Sequence, residues 1–304
     1  MSKIYEALQR ADIERKAAVG SADEQFATAA PDIEEPPPAK AEIVLENIRQ
    51  YRWKPSTIAF PTLAERGAGV EQFRSLRSRI YQARYEAPLK TILVSSGMPS
   101  EGKSFITANL AMSLARNSVN SILLIDADLR RPTLHNLLGA PGGPGLAEYL
   151  SGSVELNAVL QRDQGSEIPV NASLRTISNL TFIPSGKCDD NSSELVSNHR
   201  MEELIATLAP CFDWILIDSP PVLAVTDAVE LARAADAVLL VARGARTPYA
   251  VAQRTQTIFN NSRILGFVLN DVKDAPRRGS YYYYYGGQEG GGRDKRQKDH
   301  GKPE

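Results

Sequence analysis

Six short runs of this 304-residue chain have a mainly apolar centre: "KTILVSS" (90–96), "SILLIDAD" (121–128), "LTFIPS" (180–185), "DWILIDS" (213–219), "AVLLVA" (237–242) and "ILGFVLND" (264–271). Polar residues do not alternate with apolar ones inside them. A strand with one wet face alternates with period two, whereas a strand covered on both faces does not. Helical patterning fills the intervals near 103–117, 197–208, 226–235 and 248–261. Buried strands alternating with helices predict an α/β fold, a doubly wound, mostly parallel sheet with helices on both faces. Such sheets bind ligands at the carboxyl ends of their strands, so the chemistry is expected along that edge.

The first run leads into "SSGMPSEGKS", where Gly97, Gly102, Lys103 and Ser104 satisfy G-x-x-x-x-G-K-[ST]. Glycines at these places let the backbone curl until its N–H groups point at phosphate oxygens. The lysine reaches the β- and γ-phosphates and the serine hydroxyl ligates Mg²⁺. The motif follows a predicted strand and opens a predicted helix, whose positive dipole end adds to the site. Glu101 and Phe105 belong to the same nucleotide-contacting stretch. The cofactors expected are therefore ATP and Mg²⁺, in a P-loop NTPase type of fold.

Two other strand ends carry acids. "LLIDADLRRP" places Asp126 and Asp128 two residues apart, on one face of an extended chain. "WILIDSPP" ends its apolar run in Asp218. Hard carboxylate oxygens suit Mg²⁺, which needs only one or two of them. Ser104, Asp126 and Asp218 are the expected metal ligands; Lys103, Asp126 and Asp128 are the expected catalytic groups. Asp126 is the preferred proton acceptor, with the reverse assignment of Asp126 and Asp128 left open. Asn270, at the end of the last run, carries an amide that can pair with adenine or serve as a structural group.

Outside these runs the composition changes. Residues 1–18 read as an amphipathic helix with Ile4, Leu8 and Ala11 on one face, either solvated or a docking segment. Residues 19–70, which include "EEPPPAK", read as a linker, largely disordered. The globular domain is expected over 71–273, and 274–304 as a disordered tail containing Tyr281, Tyr282, Tyr283, Tyr284 and Tyr285. The formal net charge of -1 gives no electrostatic reason to bind nucleic acid or an anionic membrane. Two cysteines, Cys188 and Cys211, sit in no metal or disulfide pattern. With no spanning segment or signal peptide, a cytoplasmic location is expected.

Taken together, the phosphate loop, the "IDADLRRP" motif, the "DSPP" strand end and the tyrosine run resemble the bacterial tyrosine kinases of capsular and exopolysaccharide export. The resemblance runs from about Glu71 to Tyr285. It takes in "GLAEYLSG" (145–152), "PSGKCDDNSSEL" (184–195) and "VTDAVELA" (225–232). Asp189 and Asp190 stand where relatives tend to have prolines. The resemblance implies that the five tyrosines are the acceptors of autophosphorylation, each phosphate adding nearly two negative charges. It implies that Glu71, Arg74 and Arg77, similar to an E-x-x-R-x-x-R helix, join subunits in a ring; a solvated intrahelical ion pair is the plainer account. It also implies a separate membrane-spanning chain-length protein as partner, attachment at the inner face of the membrane through it, and a phosphotyrosine phosphatase. Two rival classes are a ParA/MinD-like ATPase switch, which would carry a second lysine ahead of the glycine turn, and a non-catalytic assembly partner.

Overall fold

The computed structural model describes residues 48–56, 58–64, 66–165, 178–187 and 192–272. The helix expected over 1–18, Asp189, Asp190 and the tyrosine run lie outside the described residues.

Eight strands form one sheet: β1 (Arg49–Tyr51), β2 (Thr91–Ser96), β3 (Ile122–Asp126), β4 (Gln161–Asp163), β5 (Leu180–Ile183), β6 (Trp214–Asp218), β7 (Ala237–Arg243) and β8 (Ile264–Asn270). Their spatial order is β1-β4-β5-β3-β6-β2-β7-β8. Every pairing is parallel except β4 with β5. All six predicted runs are strands. The chain leaves β2 outward to β3 and β5, returns at β6, and continues on the other flank through β7. The carboxyl ends of β2, β3 and β6 thus meet at the switch in strand order.

The unbroken apolarity of the runs has the expected cause. Ile92, Val94, Ile122, Leu124 and Leu216 enter the core on one face; Leu93, Leu123, Ile125, Ile215 and Ile217 enter a second core on the other. On the first face lie α1 (Ala68–Glu86) and α2 (Lys103–Ala115). Every residue of α2 from Ile106 to Ala115 is buried, because α1 covers the flank that the sheet does not. The short helices α3 (Leu134–Leu138), α4 (Leu146–Leu150), α5 (Leu156–Val159), α6 (Ser192–Ser197), α7 (Arg200–Leu208), α8 (Asp227–Leu231) and α9 (Tyr249–Ile258) complete the layers.

Residues 48–56 and 58–64, placed by composition in the linker, are part of the fold. Trp53, Phe60 and Leu63 are buried in the α2 face core. The Trp53 ring packs edge-on against Phe182 at 6.1 Å, and the Trp53 backbone N–H donates to Asp163 Oδ1 at 3.0 Å. Three aromatic and aliphatic side chains spaced through a proline-containing stretch show no period, so pattern alone gave them no partner. Among the described residues, no helix is long and apolar enough to cross a membrane.

Candidate nucleotide site

Strand β2 ends at Ser96, and the chain turns through Met98–Glu101 into α2. Gly102 has φ 93°, a left-handed conformation, and a Cβ there would run into the Asn270 amide. Gly97 is needed for a different reason: a Cβ would collide with the Thr255 hydroxyl of α9. The loop is braced from outside. Met98 N–H donates to Glu101 Oε2 at 2.8 Å, and the Thr247 hydroxyl donates to Glu101 Oε1. Asn270 Nδ2 donates to the Glu101 carbonyl at 3.0 Å, and Arg243 reaches the Ser100 carbonyl at 3.5 Å. Arg243 also binds Asp271 at 2.7 Å. The ends of β7 and β8 therefore hold the turn open.

Two expected nucleotide contacts, Glu101 and Asn270, are not among the residues lining the cleft. Glu101 is buried with both carboxylate oxygens engaged inside the loop and its neighbour, so it shapes the turn and does not face the cleft. The Asn270 amide nitrogen is directed at that turn, which is the structural role left open in the sequence. Phe105 does line the cleft, and its ring meets Phe73 of α1 at 6.0 Å.

Lys103, first residue of α2, points back across the strand ends. Its Nζ lies 2.7 Å from Asp128 Oδ2, 3.8 Å from Asp218 Oδ2 and 3.3 Å from Ser104 Oγ. Burial alone would lower its pKa. The charges of Asp218 and Asp128, with a smaller part from Asp126, overcome that and raise it. The side chain is an ammonium at neutral pH.

The two acids of "IDADLRRP" separate in role. Asp126 stands opposite Asp218 in the β3–β6 register and has no exposed surface. Its Oδ2 accepts from the N–H groups of Thr133 and Leu134, at 3.2 and 3.0 Å, as α3 begins. Its Oδ1 accepts from Asp128 N–H at 3.3 Å. Burial, followed by repulsion from Asp218, pushes its pKa up to about 8. Asp128 instead lines the cleft beside Lys103. Both acids are buried, Asp126 wholly and Asp128 at 3% exposure, and of the two only Asp128 lines the cleft.

This shift predicts a pH dependence. The folded chain keeps a proton on Asp126 that an unfolded aspartate, with a pKa of 3.8, has released. The unfolded state then binds fewer protons, so stability falls as pH rises between about 4 and about 8. A full pH unit is at most about 1.4 kcal/mol, or about 3 °C in a domain of this size. Asp126→Asn, neutral at every pH, should flatten the fall in Tm between pH 5 and pH 8 in a thermal melt series. An unchanged slope would place the proton elsewhere.

Asp218 is fully buried. The Thr107 hydroxyl reaches its Oδ1 at 3.4 Å, and its Oδ2 has no hydrogen-bond partner. The Lys103 ammonium faces that oxygen at 3.8 Å, beyond hydrogen-bond length, and a buried carboxylate oxygen without a hydrogen bond is costly unless a closer cation or water meets it. The Ser104 hydroxyl opens onto the same cleft. Burial raises the Asp218 pKa against the opposing pull of Lys103. These groups fit a hard divalent cation that keeps waters and phosphate oxygens in its remaining positions.

The cleft above them has a volume of about 480 Å³, enough for a nucleotide, and its walls include Pro99, Gly102, Arg130, Arg131, Leu137 and Val225. Fold and site together define a P-loop nucleotide-binding protein. A family model described as ParA, NUBPL iron-transfer P-loop NTPase, matches residues 89–298. The chain is 34% identical over 205 residues to tyrosine-protein kinase YwqD of Bacillus subtilis (strain 168), covering 67% of this chain and 81% of that one. It is 36% identical over 206 residues to tyrosine-protein kinase ptk of Acinetobacter johnsonii, covering 67% of this chain and 26% of that one. The chain thus spans about a quarter of that longer relative. The solved kinase domain of Escherichia coli tyrosine kinase ETK aligns with a TM-score of 0.63 at 31% identity, over 73% of this chain and 83% of that one. The chain belongs to the bacterial tyrosine-kinase family, within the P-loop NTPases.

Helix α1 carries Glu71, Arg74 and Arg77, and the structure divides them. Glu71 and Arg74 form an exposed ion pair at 2.6 Å. Arg77 turns inward and donates to the Ser113 carbonyl in the last turn of α2, at 2.5 Å. Of the three, Glu71 and Arg74 are presented outward. An exposed pair of this kind adds only about 0.2–1 kcal/mol to the fold. Glu71→Ala with Arg74→Ala should therefore melt within a few degrees of wild type. If the pair joins subunits, the same variant should lose oligomer mass in light scattering. Unchanged mass would leave it an intrahelical ion pair.

Proposed function

We propose that this chain is an ATP-dependent protein-tyrosine autokinase whose acceptors are Tyr281–Tyr285. The observation that supports this most is where the acceptors are tethered. Strand β8 ends at Asn270, in hydrogen-bond contact with the phosphate loop, and Tyr281 follows Val272 by nine residues. Nine residues span at most about 30 Å, so the tyrosines stay within reach of a cleft at this edge of the sheet.

In the reaction, the phenolic oxygen attacks the γ-phosphorus in line, a new O–P bond forms, and the bond to the β-phosphate oxygen breaks to release ADP. The phenol, pKa about 10, gives its proton to Asp128. Lys103 leaves Asp128 for the phosphate oxygens when ATP enters, which uncovers the carboxylate at the moment it is needed. The loop N–H groups and the start of α2 hold the phosphates. Ser104 and Asp218 would hold Mg²⁺, which would offset negative charge on the phosphates. Asp126 supports the wall by fixing the start of α3.

We further propose a ring-forming oligomer built through the outward pair Glu71 and Arg74, a separate membrane-spanning partner engaged by residues 1–18, and control of exopolysaccharide export reversed by a phosphotyrosine phosphatase. This arrangement puts the chain at the inner face of the membrane. The ParA-type match supports a second reading, an ATPase switch. Purified chain with γ-labelled ATP distinguishes them: label on tyrosine supports the kinase, and released phosphate with unlabelled protein supports the switch.

A further inference from the structure

The wall of the cleft carries an arginine, Arg130, held by side chains from two distant segments. Arg130 follows Asp128 by two residues and lines the same cleft as Lys103 and Ser104. Its Nε donates to Asp227 Oδ2 at 3.0 Å. Its Nη2 donates to Ser193 Oγ at 2.6 Å and lies 3.5 Å from Asp227 Oδ1. The Ser193 hydroxyl in turn donates to Asp227 Oδ1 at 2.8 Å. Three separate segments meet here: the loop after β3, helix α6 and the start of α8.

The two partners differ sharply in exposure. The Asp227 side chain is 2% exposed and that of Arg130 is 39%. A buried carboxylate is tolerated only when its charge is met, so Asp227 keeps the guanidinium against it. The guanidinium meanwhile keeps surface on the cleft. A plain tie between two segments would have no need to place its cation beside the phosphate loop.

We propose that Asp227, with Ser193, is a positioning residue that fixes the Arg130 guanidinium on the cleft wall, where Arg130 meets the γ-phosphoryl group during transfer. This rests on the phosphoryl-transfer reading above. An arginine side chain in solvent samples many rotamers, whereas one held at Nε and Nη2 is already oriented. A cation fixed before the reaction stabilises developing charge without reorganising at that moment. The charge supplied here is additional to that of Lys103.

The test uses the full chain as wild type, Arg130→Ala, Asp227→Asn and the double variant. The rate of tyrosine labelling at saturating ATP is measured beside the affinity for a fluorescent ADP, which lacks the γ-phosphate. Arg130→Ala should slow labelling roughly a hundredfold, and Asp227→Asn on the order of tenfold. ADP affinity should stay within about twofold of wild type in each. The double variant should be no slower than Arg130→Ala alone, because a residue that acts through Arg130 has nothing left to position.

The proposal is overturned if Asp227→Asn labels at the wild-type rate, if it slows labelling by the same factor in both backgrounds, or if ADP affinity falls in step with the rate. Should Asp227→Asn fail to fold, Ser193→Ala takes its place, with a smaller loss that again disappears in the Arg130→Ala background. If wild type releases phosphate without labelling tyrosine, the kinase reading has failed, and the same comparison on phosphate release decides the role of Asp227. If wild type transfers phosphate to neither tyrosine nor water, both fall.

Discussion

A chain carrying Lys103→Met should place no detectable phosphate on its own tyrosines. Methionine keeps the length and the apolar stem but has no charge. In the folded chain the ammonium is 2.7 Å from Asp128 and 3.8 Å from Asp218, held charged by those acids in spite of its burial. No other lysine occurs in the loop, so nothing nearby replaces it. Loss of one preorganised donor at the site of developing charge is worth about 3–4 kcal/mol, a slowing of several hundredfold. The fold should survive, because Asp218, already driven towards its neutral form by burial, can take up a proton. A labelling time course with matched circular dichroism spectra checks both parts. Near wild-type labelling would remove the phosphate loop from the reaction.

Deleting 281–285 should abolish phosphotyrosine on the chain while leaving nucleotide binding within about twofold of wild type. No described part of the cleft draws on those residues. A strong phosphotyrosine signal from the shortened chain would direct attention to Tyr85 or Tyr249, both widely exposed. The same two proteins, mixed, report on direction. The tether begins in contact with its own phosphate loop and must fold back sharply to present a phenol in line with the γ-phosphate. A neighbour's cleft in an oligomer asks for no such turn and offers a high effective concentration. The Lys103→Met chain, with its intact tail, should therefore gain label when mixed with the chain lacking 281–285. If it stays unlabelled while wild type at matched concentration labels well, transfer within one chain is the better account.

The sequence carried the central strands because both faces of each are covered. Ile92 and Leu93 enter opposite cores, and so do Leu123 and Leu124. That double coverage leaves an apolar run with no polar gap. Strands β1 and β4, "RQY" and "QRD", could not be read in the same way. They are three residues long and polar, and their place comes from backbone pairing at the sheet edge. The phosphate loop was legible because its chemistry is local, set by glycine spacing and one lysine. The division of labour between Asp126 and Asp128 was not. An i, i+2 spacing puts two carboxylates on one side of an extended chain, but only the fold ties Asp126 to the start of α3 and leaves Asp128 lining the cleft. Asp227 lies 97 residues from Arg130, and nothing short of the folded chain brings them together.

The brace between β8 and the phosphate loop has a thermodynamic consequence. Asn270 sits against Gly102 so closely that no side chain fits between them. Anything that pulls on the chain just past this point and displaces Asn270 changes the shape of the turn that receives the phosphates. Linkage then runs both ways by necessity: a partner that alters nucleotide affinity through this contact has its own grip altered by nucleotide, by the same factor. A force on the chain that shifted Asn270 would thus be felt in the cleft, and a nucleotide in the cleft would be felt at Asn270.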